Sequence, residues 1–263
     1  MPCKPIDISL LALPSFRTVA YLCAFRELGY YPAELIMLSG SRKNHADMMV
    51  EAQAYNYAAQ FFDVALDPLE WCGKVGARIT LLNENDINET SVVSAVENCV
   101  AENILFSASG IVGSNLLKCG KRFIHVHPGI LPDYRGSTCF YYSLLETGEV
   151  SSTSFLMTEG LDAGPILASS TFEVNYYISL SQPLFLDYIL DPYIRAHTFK
   201  KVLLSVGANQ PLNPRLNPPS VLPACYVMHP LLRVLTTQKL RENYVETRPN
   251  GIFEKKLSGD SCI

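Results

Sequence analysis

Apolar and polar positions along this chain change period in blocks, and each change marks an element. Residues 6–13, Ile-Asp-Ile-Ser-Leu-Leu-Ala-Leu, read as a buried strand. Residues 16–28 then carry apolar side chains at helical spacing, behind Pro14-Ser15 and before Gly29. Residues 35–39 give a second strand, so strand, helix and strand fit the length of one βαβ unit. Its first turn contains no G-x-G-x-x-G, and the dinucleotide fingerprint is therefore absent.

Residues 44–60 are weakly helical and polar, and residues 77–82 predict a short strand that ends on the polar turn Asn83-Glu-Asn-Asp86. A helix is expected over 88–101, a strand over 103–107, and a short helix from Ser114 to Cys119. The next strand runs through Phe123-Ile-His-Val-His127 and is stopped by Pro128, Gly129 and Pro132. Ser137 is placed to cap a helix over 138–147, closed by Gly148. Residues 151–157 read as a strand returning to the same region, followed by the two-glycine turn Glu159-Gly-Leu-Asp-Ala-Gly-Pro165. Residues 184–205 are mostly helical, with Pro192 marking a start or a kink. The alternation predicts a doubly wound, mainly parallel α/β sheet over residues 1–206. Five prolines then fall between 211 and 223, as in a linker or wrapping segment, and residues 225–246 predict a last helix or two. Residues 207–263 thus form a Pro-rich linker and helical C-terminal extension.

With 263 residues and 48% hydrophobic composition the chain has ample material for a core. A net charge of −4, 17% charged residues and no Lys/Arg run argue against a dedicated nucleic-acid or membrane-surface binder. Eight cysteines are scattered singly without a C-x-x-C pair, which suits reduced thiols and a cytoplasmic setting. No apolar stretch reaches the roughly 18 to 20 residues of a membrane helix. Trp71, Tyr141 and Tyr142 read as packing residues, and His197 and His229 as structural.

Chemistry concentrates at the strand that carries His125 and His127. As i and i+2 on an extended strand they share one face. The prolines that follow put them at the strand's carboxyl end, where open α/β sheets hold their ligands. Asp162 sits near the tip of the glycine turn. His125, His127 and Asp162 could supply three ligands of an open zinc site, a rival reading as a zinc-dependent hydrolase.

The run His127-Pro-Gly-Ile-Leu-Pro-Asp-Tyr-Arg-Gly136, the helix after it, and Thr153 through Gly160-Leu-Asp-Ala-Gly-Pro-Ile-Leu167 resemble the folate-dependent formyltransferases. That family's signature is Asn-x-His-Pro-Ser-Leu-Leu-Pro, an Arg/Lys-Gly, a Thr-x-His strand and an Asp-x-Gly-Pro-Ile turn. The resemblance implies a Rossmann-like fold, 10-formyltetrahydrofolate as formyl donor and a primary amine as acceptor. It makes His127 the catalytic histidine and Asp162 the carboxylate that orients it and a water. It sets Gly129, Ile130, Leu131 and Pro132 beside the donor, and Ser107, Ala108 and Gly110 in the turn that helps hold the pterin. His125 stands where the family has Asn, and as a substitute it supplies an N–H to the developing oxyanion. Phe155 stands where many members have a second His, filling core or lining the acceptor pocket. Arg135 either binds an anionic part of the substrate or pairs at the surface.

A small-molecule amine, such as that of a nucleotide-linked amino sugar, is the expected acceptor, because the family's tRNA enzymes carry a further basic β-barrel domain. The C-terminal extension leaves a homodimer open. A catalytically impaired folate- or partner-binding relative is the remaining alternative, since His125 replaces the family's Asn.

Overall fold

The computed structural model describes residues 3–38, 60–177 and 185–255. An eight-stranded sheet runs in the order β10-β9-β8-β7-β6-β2-β4-β5, beside a two-stranded parallel ribbon of β1 (Lys4–Ile6) and β3 (Tyr30–Pro32). Strands β2 (Ile8–Ala12), β4 (Glu34–Leu38), β5 (Arg78–Leu82), β6 (Asn103–Ser107) and β7 (Arg122–His127) are mutually parallel where they pair. Strands β8 (Glu149–Leu156), β9 (Ile166–Asn175) and β10 (Gly251–Glu254) extend the sheet in antiparallel fashion.

Every residue of β2, β4 and β6 is buried, as parallel strands covered on both faces must be. Their period-2 alternation divides the interior. Leu10, Ala12, Leu35, Met37, Leu105, Ile124 and Val126 face one core with the helices α1 (Phe16–Glu27) and α6 (Asp191–Gly207). Leu11, Leu13, Ile36, Leu38, Ile104, Phe106 and Phe123 face the other, under α3 (Thr90–Glu97) and α4 (Ser114–Leu117). Tyr21 and Phe25 of α1 meet Phe199 of α6 edge-on, with ring centroids 5.5 and 5.6 Å apart. Full burial of each such side chain contributes about 1.5–3 kcal/mol.

The predicted strands 103–107 and 77–82 and the helix behind Ser15 stand close to where the pattern put them. Ser15 accepts from the Thr18 amide at 3.2 Å, a cap of about 1 kcal/mol. Other expectations change. The helix expected over 88–101 is only Thr90–Glu97: before its start Asn88 is diverted, accepting from the Gly113 amide at 2.6 Å and donating to the Ile111 carbonyl at 3.0 Å, and at its end the Asn98 side chain donates to the Ser94 carbonyl at 2.8 Å. Ser137 does not cap α5 (Cys139–Thr147). Thr138 holds that position in a left-handed conformation (φ 53), and its hydroxyl bonds the C-terminal segment at Tyr226 and Met228 instead. The helix of residues 184–205 opens on a π turn, Leu186–Leu190, before α6.

The pattern missed α2 (Pro68–Val75) and β9, whose small and polar residues carry a weak apolar signal. The weakly helical stretch 44–60 lies, except for Gln60, outside the described residues. Beyond α6 the chain runs back along the site, forms α7 (Pro230–Glu242) and closes on β10 at the edge of the main sheet. Among the described residues no helix is long and apolar enough to cross a membrane, and the seven cysteines there are free.

Candidate active site

Strand β7 pairs with β6 only from Arg122 to Ile124, after which the two part. On the other side β7 stays paired with β8, setting His125 opposite Phe155 and His127 opposite Thr153. His125 and His127 project from the face that carries Phe123, with ring centroids 6.5 Å apart.

The loop after His127 folds back on it. Thr153 pins the loop by donating to the Gly129 carbonyl at 2.8 Å and accepting from the Leu131 amide at 3.2 Å. The Tyr134 amide donates to the Ile130 carbonyl at 2.9 Å, and the Leu131–Pro132 bond is cis. This brings the Tyr134 carbonyl 2.8 Å from His127 Nε2. A carbonyl only accepts, so Nε2 carries the proton and Nδ1 of the neutral ring is the basic nitrogen.

That Nδ1 faces Asp162 Oδ2 at 3.6 Å. The same oxygen accepts from the Gly136 amide at 2.8 Å. Asp162 lies at φ 49, a left-handed position that Asp tolerates better than most residues. Asn217, from the Pro-rich segment, holds the turn by donating to the Asp162 and Gly164 carbonyls at 2.9 and 3.1 Å.

Burial pushes the His127 imidazolium below the usual histidine range; the Asp162 carboxylate opposes this and the Arg195 guanidinium adds to it. His125 is driven further down, first by burial and then by the charges of Arg195, Arg17 and His127, against the pull of the Phe106 carbonyl. Its ring lies between those of Phe106 and Phe155, and its buried Nδ1 has no hydrogen-bond partner among the described residues.

The three proposed zinc ligands do not form a ligand set. Among the described residues no three His, Cys, Asp or Glu stand where they could hold one ion, and His127 Nε2 is already bonded to a carbonyl. Phe155 is 2% exposed and packs with Leu131 and Ile166, so of its two expected roles the geometry gives the core one. Ser107 is turned inward to the Thr18 hydroxyl at 2.8 Å, and the Ala108 carbonyl takes a bond from Arg17. Gly110 turns the chain at φ 99. Arg135 bends back to the C-terminal segment, donating to the Leu222 carbonyl at 3.2 Å, which favours a structural pairing over an open anion site.

Residues 33–182 match the sequence model of the family described as Formyl transferase. The chain belongs to that family. Members use 10-formyltetrahydrofolate as formyl donor. The chain is 30% identical over 107 residues to the methionyl-tRNA formyltransferase of Finegoldia magna, a stretch covering 40% of this chain and 34% of that protein. It is 33% identical over 98 residues to the enzyme of the same description from Sulfurovum sp., covering 36% and 32%. The aligned stretch thus spans about a third of the length of these relatives.

Among solved structures the formyltransferase chain superposes on phosphoribosylglycinamide formyltransferase from Anaplasma phagocytophilum with a TM-score of 0.53, 11% identity and coverage of 80% of this chain and 89% of that one. A 4-N formyltransferase from Francisella tularensis gives a TM-score of 0.51 at 13% identity, covering 90% and 87%. These likenesses show the fold.

Sequence reasoning singled out the two histidines and Asp162, but missed Tyr134, Asn217 and Arg195. Tyr134 acts at His127 through its backbone carbonyl, for which no side-chain signal exists. Arg195 had one: an Asp191–Arg195 pair at i and i+4 at the start of the helix, with Arg195 between the buried apolar positions Ile194 and Ala196.

Proposed function

We propose that this protein transfers the formyl group of 10-formyltetrahydrofolate to a primary amine of a small metabolite, with nucleotide-linked amino sugars the first class to test. The observation that carries the reading is the His127–Asp162 pair, with its tautomer set by the Tyr134 carbonyl.

The segments after β6 and β8 suit the flat ring portion of the donor. They are tied together by Ser114 and Lys118 on Glu159, at 3.2 and 2.8 Å, and carry the exposed apolar side chains Ile111 and Leu161. The donor supplies the formyl carbon and the N10 leaving group. Attack by the amine forms the new C–N bond, and loss of N10 breaks the old one; one proton leaves the amine and one arrives at N10.

Asp162 is the more exposed member of the pair, its side chain 11% accessible against 3% for His127, and so meets the acceptor side. A proton taken at His127 Nδ1 gives an imidazolium facing the Asp162 carboxylate, and the pair can return that proton to N10. The one N–H of the neutral His125 would serve the carbonyl oxygen, as that oxygen gains charge, by turning to it from the Phe106 carbonyl.

The negative overall charge and the absence of a Lys/Arg run favour a small acceptor over tRNA, since phosphate binding needs concentrated positive charge. The test is to incubate the full chain with 10-formyltetrahydrofolate and either a panel of amino sugars and amino acids or initiator methionyl-tRNA, following the formylated product by mass spectrometry. Formylation of a small amine supports the reading. Formylation of the tRNA alone refutes the acceptor class, and binding of the donor without transfer to any acceptor points to the impaired relative.

A further inference from the structure

We propose that Arg195 is a positioning residue for the two histidines: its guanidinium replaces the ladder partner that β7 loses where it parts from β6. Pairing between the two strands ends at Leu105–Ile124, leaving the Val126 carbonyl, between His125 and His127, without a strand partner on that side. Arg195 Nη1 donates to this carbonyl at 2.7 Å from helix α6, which packs on the opposite face of the sheet. Its Nε is held by both oxygens of Asp191, one turn earlier, at 2.9 and 3.0 Å. Residue 195 is 8% exposed, so this pair works away from water, where a rigid fork fixes a carbonyl more firmly than a flexible ammonium.

The charge acts as well as the fork. Around the guanidinium stand Tyr21 of α1, Asp191 of its own helix, Cys139 of α5, and His125 and His127 of β7, and Arg17 of α1 acts with it on Tyr21 and His125. Asp191 is spent on Nε, and the guanidinium opposes protonation of both imidazoles. One side chain therefore sets where the strand end lies and helps keep its rings neutral, the state a proton acceptor needs. The kinetic part rests on the proposed formyl transfer; the positional part does not.

The test compares Arg195→Lys and Arg195→Met in the full chain by NMR titration of the histidine rings and by steady-state kinetics. Arg195→Met removes the charge, so His127 titrates at higher pH and the acid limb of kcat/KM moves up with it. Arg195→Lys keeps the charge and loses the fork: the titration stays near wild type, the histidine ring resonances shift, and kcat falls on the order of 10–100-fold with KM little changed. A folded Arg195→Met with unmoved His127 titration, or Arg195→Lys with unchanged ring resonances and kcat, overturns the proposal. Should Arg195→Met not fold, Arg195→Lys decides. Should the wild type transfer no formyl group, the formyl-transfer reading fails separately and the ring resonances still decide this one.

Discussion

Asp162 and His127 meet at 3.6 Å between Oδ2 and Nδ1, a separation too long for a hydrogen bond and short enough for an ion pair once the ring is protonated. Because the Tyr134 carbonyl fixes the ring's single proton on Nε2, the carboxylate faces a lone pair in the resting state. The pair is arranged for the protonated ring rather than for the neutral one.

Asp162→Asn should therefore damage turnover more than folding. Asn tolerates the left-handed conformation at this position and can still accept from Gly136, whereas the imidazolium loses its counter-charge. We expect kcat to fall by about 100-fold or more with only a small change in the thermal midpoint. A variant with full kcat would remove Asp162 from the proton-handling pair.

Both histidines titrate below the ordinary value of 6.5 in the fold. The unfolded chain therefore binds more protons than the native one as pH drops below about 6.5, and stability rises with pH through that window. Above it the two rings contribute no pH dependence; as pH falls from the unfolded value toward their native ones, stability is lost. Urea unfolding between pH 5 and 8 should show this slope, and the double variant His125→Asn/His127→Asn should flatten it.

His125 distinguishes a working substitution from an impaired one. If its N–H serves the carbonyl oxygen, His125→Ala lowers kcat by about 100-fold, the effect of removing one such donor. His125→Asn supplies an amide N–H at the same place and should retain turnover. Steady-state rates of the two variants check this, and equal loss in both would mean that the imidazole itself is needed.

Gly136 joins the site loop to the C-terminal segment. At φ 99, an added Cβ would sit 2.5 Å from the Cys225 carbonyl oxygen, whose residue bonds the Arg135 carbonyl and the Ser137 amide. Gly136→Ala should cost about 1–3 kcal/mol from the strained backbone, in addition to the clash. It should also lower activity by releasing the amide that Asp162 accepts from. Chemical denaturation and a kcat measurement on the soluble variant test both effects.

The linear order of residues was enough to determine the strands β6 and β7, the turn at Gly148 and the shared face of His125 and His127. Each follows from local rules: period-2 apolar runs, breakers after His127, and a glycine where the chain must turn left-handed. It also determined that Asp162 would lie on a tight turn, and the ordered motifs indicated the family.

What it could not determine is how the site is held. That a Tyr134 carbonyl sets the tautomer of His127, that Thr153 pins the loop, that Asn217 braces the Asp162 turn and that Arg195 anchors Val126 all depend on segments from 7 to 69 residues apart. The antiparallel edge was hidden for the same reason. The small and polar side chains of β9 signal no strand until β8 and β10 offer backbone partners on either side. Local chemistry named the candidate reacting side chains. The tertiary structure decided their protonation and their partners, because burial and long-range carbonyl contacts arise only when the sheet has closed.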